Sequence, residues 1–114
     1  MYPSGRWDGF WVQARWGRQP MEAFALRFAG GVITGEGVDV VGPFTFRGAY
    51  DEATGTVRMV KQYLGRHAVL YVGQSDGEGS IQGTWHIGRA DTGSFLLRPV
   101  LPRPTGDEPI AEIG

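Results

Sequence analysis

The chain has 114 residues, enough for one domain with a single hydrophobic core. Hydrophobic residues make up 41% and charged residues 20%, as in a soluble globular protein, which argues against intrinsic disorder. The formal net charge of −1 provides no basic field for nucleic acid, and the lack of cysteine excludes disulfides, thiol chemistry and cysteine-based metal sites.

The N-terminal stretch does not combine a basic segment with an apolar run, as a signal peptide would. No apolar run approaches the roughly 18 residues that cross a membrane. We therefore expect a cytoplasmic protein without a membrane partner.

Glycine-rich clusters divide the chain into eight apolar runs, because the 19 glycines recur with Pro and Asp in combinations typical of turns. Several runs alternate apolar and polar residues with period 2, and none keeps a helical period. The predicted strands are Arg6–Trp16, Met21–Phe28, Val32–Asp39, Phe44–Tyr50, Thr56–Tyr63, His67–Gly73, Ser80–Ile87 and Ser94–Val100.

The connections between these strands are too short for parallel crossovers, so consecutive strands should pair antiparallel. Closing such a meander into a barrel removes its exposed edges. The sequence therefore predicts an all-β domain over residues 1–100, an eight-stranded antiparallel up-and-down barrel. The three prolines of the last 14 residues predict an extended or disordered tail at 101–114.

Inward-facing glycines are expected in several strands, where they provide either curvature or space for a ligand. Curvature is the reading that we favour. The glycines concerned are Gly9, Gly35, Gly37, Gly48 and Gly83.

Several stretches resemble the avidin family. The first strand opens with the G-x-W of Gly5-Arg6-Trp7, and the last strand carries Arg98. That pairing is similar to the calycin signature shared by avidins and lipocalins. "FTFRGAYD", "HAVLYVGQ" and "SIQGTWHI" resemble later avidin strands in the right order. The resemblance implies an eight-stranded barrel in which Arg98 packs across Trp7 at one end.

The departures from the avidin pattern fall on the positions that hold biotin in that family. Gly9, Gly37, Asp39 and Val69 stand where avidins place hydrogen-bonding side chains. A site without these partners leaves polar ligand atoms unpaired, at a cost of about 1–3 kcal/mol each. We therefore expect no strong binding of biotin.

The candidate site centres on Lys61, the only lysine beside ten arginines. Lys61 shares a strand face with Val57, Met59 and Tyr63, which predicts that it points into the barrel. A buried ammonium requires an acidic partner, for which Asp39 and Glu36 are the candidates. The predicted ligand-binding residues, beside a wall that includes Trp11, are Asp39, Phe46, Lys61, Tyr63, His67, Tyr71 and Trp85. A register shift by one residue would instead turn Lys61 to solvent, and a purely structural ion pair is a further alternative.

The function predicted from this pattern is that of a non-catalytic barrel that binds a small molecule of unknown identity. One alternative is an enzyme that uses Lys61, with Tyr63 or His67, as an acid, base or Schiff-base group. Another is a ligand-free module that forms homo-oligomers. No catalytic set, cofactor motif or metal-ligand spacing is recognisable, and His67 and His86 fall on opposite faces.

Apolar residues on the predicted outer face indicate assembly. "AVLYV" is apolar on both faces, and a barrel wall that faces water should alternate. We expect a homodimer or a dimer of dimers through Val60, Leu70, Val72 and Leu97. Covering of this patch by the C-terminal tail of the same chain is the alternative.

Overall fold

A computed structural model describes residues 2–101, apart from the side chains of Glu22 and Ala23. It confirms the predicted fold class: eight antiparallel strands close into a barrel in up-and-down order, with β8 returning to pair with β1. The predicted tail at 101–114 lies, beyond Leu101, outside the described residues. The strands are β1 Gly5–Gln13, β2 Gly17–Ala29, β3 Val32–Val38, β4 Pro43–Tyr50, β5 Val57–Tyr63, β6 Ala68–Ser75, β7 Ile81–Ile87 and β8 Asp91–Pro99.

The first strand ends earlier than the sequence predicts, at Gln13 rather than at Trp16. The Gln13 side-chain oxygen accepts hydrogen bonds from the backbone N–H groups of Arg15 (2.7 Å) and Trp16 (3.0 Å). These bonds stabilise a turn, and β2 then begins at Gly17, which has a φ of 79°. A left-handed φ of this kind favours glycine.

A β-bulge changes the inward face of β2. Trp7 pairs with Phe24, but Gly9 pairs with Met21, so one residue of β1 lies opposite two residues of β2. This inversion of the alternation brings Met21 into the core, where it is 0% exposed.

Aromatic side chains fill one end of the barrel, here called the closed end. Tyr2 packs against the rings of Trp7, Phe28 and Tyr50, with ring centroids 5.2 to 6.4 Å apart. The Trp7 indole is fully buried, and its N–H donates to the carbonyl oxygen of Pro3 at 2.9 Å. The tryptophan of the G-x-W motif therefore closes this end of the barrel, as the resemblance implies.

The expected packing of Arg98 across Trp7 was wrong. Arg98 pairs with Asp8 across β1 and β8, and its guanidinium lies 3.3 Å from the Asp8 carboxylate. Both side chains are on the outer face, because successive residues of a strand point to opposite sides and Trp7 points inward.

Inward glycines allow neighbouring strands to approach closely. A Cβ atom at Gly83 would overlap the carbonyl oxygen of Val72, and one at Gly48 would overlap that of Arg58. Near Gly73 the ring of Phe95 occupies the space that a side chain would need. These glycines therefore provide curvature and close packing between neighbouring strands.

The apolar outer face differs from the prediction at one position. Val60, Leu70 and Val72 face outward on β5 and β6, and Val60 is 42% exposed. Leu97, however, is 0% exposed in the core, so its placement on the outer face was wrong. Its neighbour Leu96 faces outward instead, beside Phe10 of β1. The described residues include no helix long and apolar enough to cross a membrane.

Candidate functional site

The turns β1–β2, β3–β4, β5–β6 and β7–β8 meet at the opposite end of the barrel, here called the cavity end. Lys61 points inward from β5 toward this end, with Phe46 of β4 and Val69 of β6 as its paired neighbours. Its side chain is 0% exposed, which confirms the predicted orientation and excludes the solvent-facing register.

The Lys61 ammonium has three polar neighbours from three different strands or turns. Its Nζ lies 2.5 Å from Asp39 Oδ2, 3.1 Å from Met21 Sδ and 3.5 Å from the hydroxyl of Tyr71. An ammonium group has three N–H donors. All three therefore have a protein group within reach, and the strongest contact is the ion pair with Asp39.

Asp39 is held in place by the turn that follows β3. Its backbone exchanges two hydrogen bonds with Gly42, at 3.1 and 3.0 Å, so Val40 and Val41 form a two-residue hairpin loop. The backbone N–H of Val41 donates to Asp39 Oδ1 at 2.9 Å, and the Tyr63 hydroxyl donates to Oδ2 at 2.6 Å. The carboxylate is 0% exposed and satisfied on both oxygens. The other proposed acid, Glu36, is on the outer face and faces Arg27 at 3.8 Å.

Aromatic rings surround the ammonium. Lys61 Nζ lies 4.4 Å from the ring centroid of Phe44, 4.7 Å from that of Tyr63 and 5.6 Å from that of Tyr71. The Trp11 ring is 5.9 Å away. Cations within about 6 Å of a ring face are attracted by its quadrupole, more strongly when water is excluded. These rings partly replace the hydration that the ammonium loses.

The protonation states follow from this geometry. Burial lowers the pKa of Lys61 to about 8, although the Asp39 carboxylate opposes the shift. Burial acts to raise the pKa of Asp39, but the hydrogen bonds from Lys61 and Tyr63 outweigh it and hold this pKa below its usual value. Burial raises the pKa values of Tyr63 and Tyr71, and Asp39 adds to the effect. At neutral pH the site therefore holds an ion pair between neutral phenols.

A cavity of about 170 Å³ lies at the cavity end. Trp11 and Trp85 form one corner of it, with their ring centroids 6.1 Å apart and their planes at 83°. The residues that line it are Trp11, Gln13, Trp16, Val41, Tyr63, His67, Val69, Tyr71, Trp85, Ile87 and Asp91.

The cavity separates the predicted ligand residues into two groups. Tyr63, His67, Tyr71 and Trp85 line it, and His67 is exposed and packs against Tyr63 at 5.1 Å. Asp39, Phe46 and Lys61 do not line the cavity, and both members of the ion pair are fully buried. The seven residues are thus adjacent, but the Lys61–Asp39 ion pair lies beneath the aromatic side chains that line the cavity and is not part of its surface.

Two tryptophan N–H groups at this cavity differ in their hydrogen bonding. The Trp85 Nε1–H donates to the carbonyl oxygen of Val12 at 2.9 Å, and Gly93 leaves room for this indole, because a Cβ at Gly93 would lie 2.6 Å from Trp85 Nε1. The Trp11 Nε1–H is buried, and no acceptor pairs with it among the described residues. Buried donors without a partner are rare in folded proteins.

Sequence reasoning missed other parts of the site. Met21 reaches Lys61 only because of the bulge in β2, and Val41 lines the cavity only because of the tight hairpin after Asp39. Asp91 and Ile87 come from the ends of the β7–β8 turn. The Val41 position could have been found from "DVVG", since an Asp and a Gly with two residues between them are compatible with a two-residue hairpin loop.

The rest of the described surface offers no comparable arrangement. A larger concavity of about 870 Å³ is lined in large part by exposed residues of the barrel wall, among them Arg58, Gln82 and Thr84. Two Phe or Tyr rings line it, whereas five Trp or Tyr rings line the smaller cavity, which is therefore the better candidate. No group of three or more His, Asp or Glu in residues 2–101 is placed to hold a metal ion.

The sequence matches no protein-family model and no curated protein.

Proposed function

We propose that this chain is a non-catalytic barrel that binds a small molecule in the cavity at its cavity end. The observation that carries the proposal is the aromatic cavity itself, built on a neutralised and fully buried ion pair. Ligand sites are mostly apolar hollows with a few fixed polar groups, and the mouth of a β-barrel is a common place for them.

The size of the cavity limits the ligand. A hollow of about 170 Å³ is smaller than the roughly 300 Å³ at which pockets for drug-sized ligands begin. It is close to the roughly 150 Å³ of an engineered apolar cavity that accepts benzene. The cavity therefore holds about one ring of a ligand, and its exposed rim residues Trp16 and His67 leave it open to solvent.

We also propose that the barrel is a divergent relative of the avidins that does not bind biotin. The buried Trp7 of the G-x-W motif and the up-and-down order of eight strands support the relationship. Against biotin binding, Asp39 is already engaged by Lys61 and Tyr63, and Gly9 has no room for a polar side chain beside Leu96.

A pair of hairpin variants tests binding at this cavity. Val41 lines the cavity and is partly buried, whereas the adjacent Val40 is 65% exposed and does not line it. We expect Val41→Phe to lose at least tenfold in affinity for single-ring compounds detected by saturation-transfer NMR, and Val40→Phe to bind as the wild type does. Biotin serves as a negative control, and we expect it not to bind to the wild type.

Equal binding by the wild type and Val41→Phe would show that the cavity is not the site. If no single-ring compound binds the wild type at millimolar concentration, the proposed function fails and a ligand-free module is favoured.

One observation favours the enzyme alternative, namely that burial lowers the pKa of Lys61 to about 8. A lysine amine that is partly neutral near physiological pH can form a Schiff base. The amine is, however, 0% exposed and paired with Asp39, so a carbonyl substrate has no approach to it. Borohydride treatment with small aldehydes, followed by peptide mass spectrometry, should therefore leave Lys61 unmodified.

A further inference from the structure

We infer that the cavity takes a compact organic cation of about one ring, which the Trp and Tyr rings of its lining and the Asp91 carboxylate at its rim attract together. This inference rests on the proposed function and adds the chemical class of the ligand. Two independent observations support it, namely the aromatic character of the lining and the unpaired carboxylate in that lining.

Aromatic rings dominate the lining of the cavity. Five of its eleven residues are Trp or Tyr. The face of an aromatic ring is the negative side of its quadrupole, so it attracts a cation, and Trp does so most strongly. Three of the five ring centroids already lie 4.7 to 5.9 Å from the Lys61 ammonium, and these belong to Trp11, Tyr63 and Tyr71. Trp16 and Trp85 add two rings that are not among those around Lys61 in the described part of the chain.

Asp91 provides a negative charge at the rim of the cavity. It is the first residue of β8, and the alternation of that strand puts it on the same face as Phe95, which points into the barrel. Its side chain lines the cavity, is exposed, and forms no ion pair with any residue that the structure describes. A cation among the rings would supply the missing counter-charge. Because exposed ion pairs are weak, we expect Asp91 to contribute only a few-fold in affinity.

The other charges near the cavity do not cancel this preference. Lys61 and Asp39 lie 2.5 Å apart, are fully buried and do not line the cavity, so together they present no net charge to its occupant. Three of the four turns at the cavity end carry an exposed arginine, namely Arg15, Arg66 and Arg89. These arginines are outside the lining, and salt screens exposed charges beyond about 8 Å at physiological ionic strength. The unpaired charge that borders the cavity is therefore negative.

Three single-ring probes of similar size test the sign of the preferred charge. N-methylpyridinium is a permanent cation, toluene is neutral, and benzoate is an anion at neutral pH. Dissociation constants are measured by NMR titration of the wild type, Asp91→Asn, Trp16→Leu and Glu78→Gln. Glu78→Gln is the matched control for Asp91→Asn, because it changes the net charge by the same amount on an exposed residue of the β6–β7 turn, at the closed end.

We expect the wild type to bind N-methylpyridinium about tenfold more tightly than toluene, and benzoate most weakly. Asp91→Asn should reduce the ratio of the cation affinity to the toluene affinity about threefold. Trp16→Leu should also reduce this ratio, since leucine keeps an apolar surface at the rim but has no quadrupole. The ratio is the readout because a change in the size of the cavity affects both probes. Glu78→Gln should leave the ratio as it is in the wild type.

The outcomes separate this inference from the proposed function. If the wild type binds toluene or benzoate at least as tightly as N-methylpyridinium, the inference is overturned while the proposed function stands. A cation preference that Asp91→Asn lowers no more than Glu78→Gln does would overturn it as well, because the net charge of the protein would then explain the preference. If none of the three probes binds at millimolar concentration, both the inference and the proposed function are overturned.

Discussion

Replacement of Lys61 by methionine tests whether the ammonium serves to neutralise Asp39 inside the barrel. Methionine has a similar length and fills the same space without a charge or an N–H donor. In Lys61→Met the Asp39 carboxylate, which is 0% exposed, keeps the hydrogen bonds from Tyr63 at 2.6 Å and from the Val41 backbone at 2.9 Å. It loses its counter-charge.

Removal of one partner from a buried ion pair costs about 3 to 5 kcal/mol in other proteins, because the remaining charge is left uncompensated. The two hydrogen bonds that Asp39 retains place the expected loss at the lower end, about 3 kcal/mol. This is a large part of the roughly 5–15 kcal/mol by which domains are stable.

The double variant Lys61→Met/Asp39→Asn separates charge from packing. An asparagine at position 39 carries no charge. Its single side-chain oxygen can still accept from the Val41 N–H group, and its amide nitrogen can donate to the Tyr63 hydroxyl. If the cost of Lys61→Met comes from the unpaired carboxylate, the second substitution should recover about 2 kcal/mol of it. If the cost comes from lost packing, the double variant should be no more stable than Lys61→Met.

Urea denaturation followed by tryptophan fluorescence measures these differences, provided that the unfolding transition remains two-state. The difference in free energy of unfolding between Lys61→Met and the wild type should become smaller as the pH is lowered toward 5. Without Lys61, burial raises the pKa of Asp39 and the folded state takes up a proton before the unfolded chain does. A Lys61→Met variant within about 0.5 kcal/mol of the wild type at pH 7 would refute the reasoning.

Two further predictions concern pH and assembly. The wild type should gain stability between about pH 8 and pH 10, because the folded state releases the Lys61 proton at a pKa of about 8 while the unfolded chain still holds it. Urea midpoints that stay constant from pH 7.5 to 10 would contradict this gain. Above about pH 10 the wild type should lose stability, because the raised pKa values of Tyr63 and Tyr71 keep protons on the folded state that the unfolded chain releases. The wild type should scatter light as a dimer at micromolar concentration and Leu70→Lys as a monomer, while Thr45→Lys on the outer face of β4 stays dimeric; a monomeric wild type would end the assembly prediction.

Much of the fold and the centre of the site could be predicted because both depend on period-2 alternation. The inward position of Lys61 follows from Val57, Met59 and Tyr63 on the same face of β5, all of which are buried. The partner Asp39 follows in the same way, since it continues the inward face of β3 past the end of that strand. The antiparallel barrel then brings the two faces together.

Two kinds of feature could not be predicted. They are the positions where a bulge interrupts the alternation of a strand, and the contacts that depend on which residue of the adjacent strand lies opposite. Met21 changes face at a bulge that the sequence of β2 does not announce. Arg98 points outward because its neighbour Leu97 points inward, and its pairing with Asp8 could not be predicted before the register of β1 and β8 was known. The alternation of β8 does place Leu97 inward with Phe95, so assigning it to the outer face ignored the pattern.

The use of the single lysine at this position has a physical explanation in the same geometry. The ammonium is a compact point charge, and the Asp39 carboxylate, the Met21 sulfur and the Tyr71 hydroxyl approach it from different elements, with aromatic rings between them. An arginine fork is planar and carries five donors, more than these three groups can satisfy in a space closed to water. The other cations of the described barrel, such as Arg27 and Arg98, lie exposed on the outer face, where water satisfies a guanidinium. The interior thus requires the smaller cation, and the pair that it forms with Asp39 fixes the β3–β4 hairpin whose Val41 side chain lines the cavity.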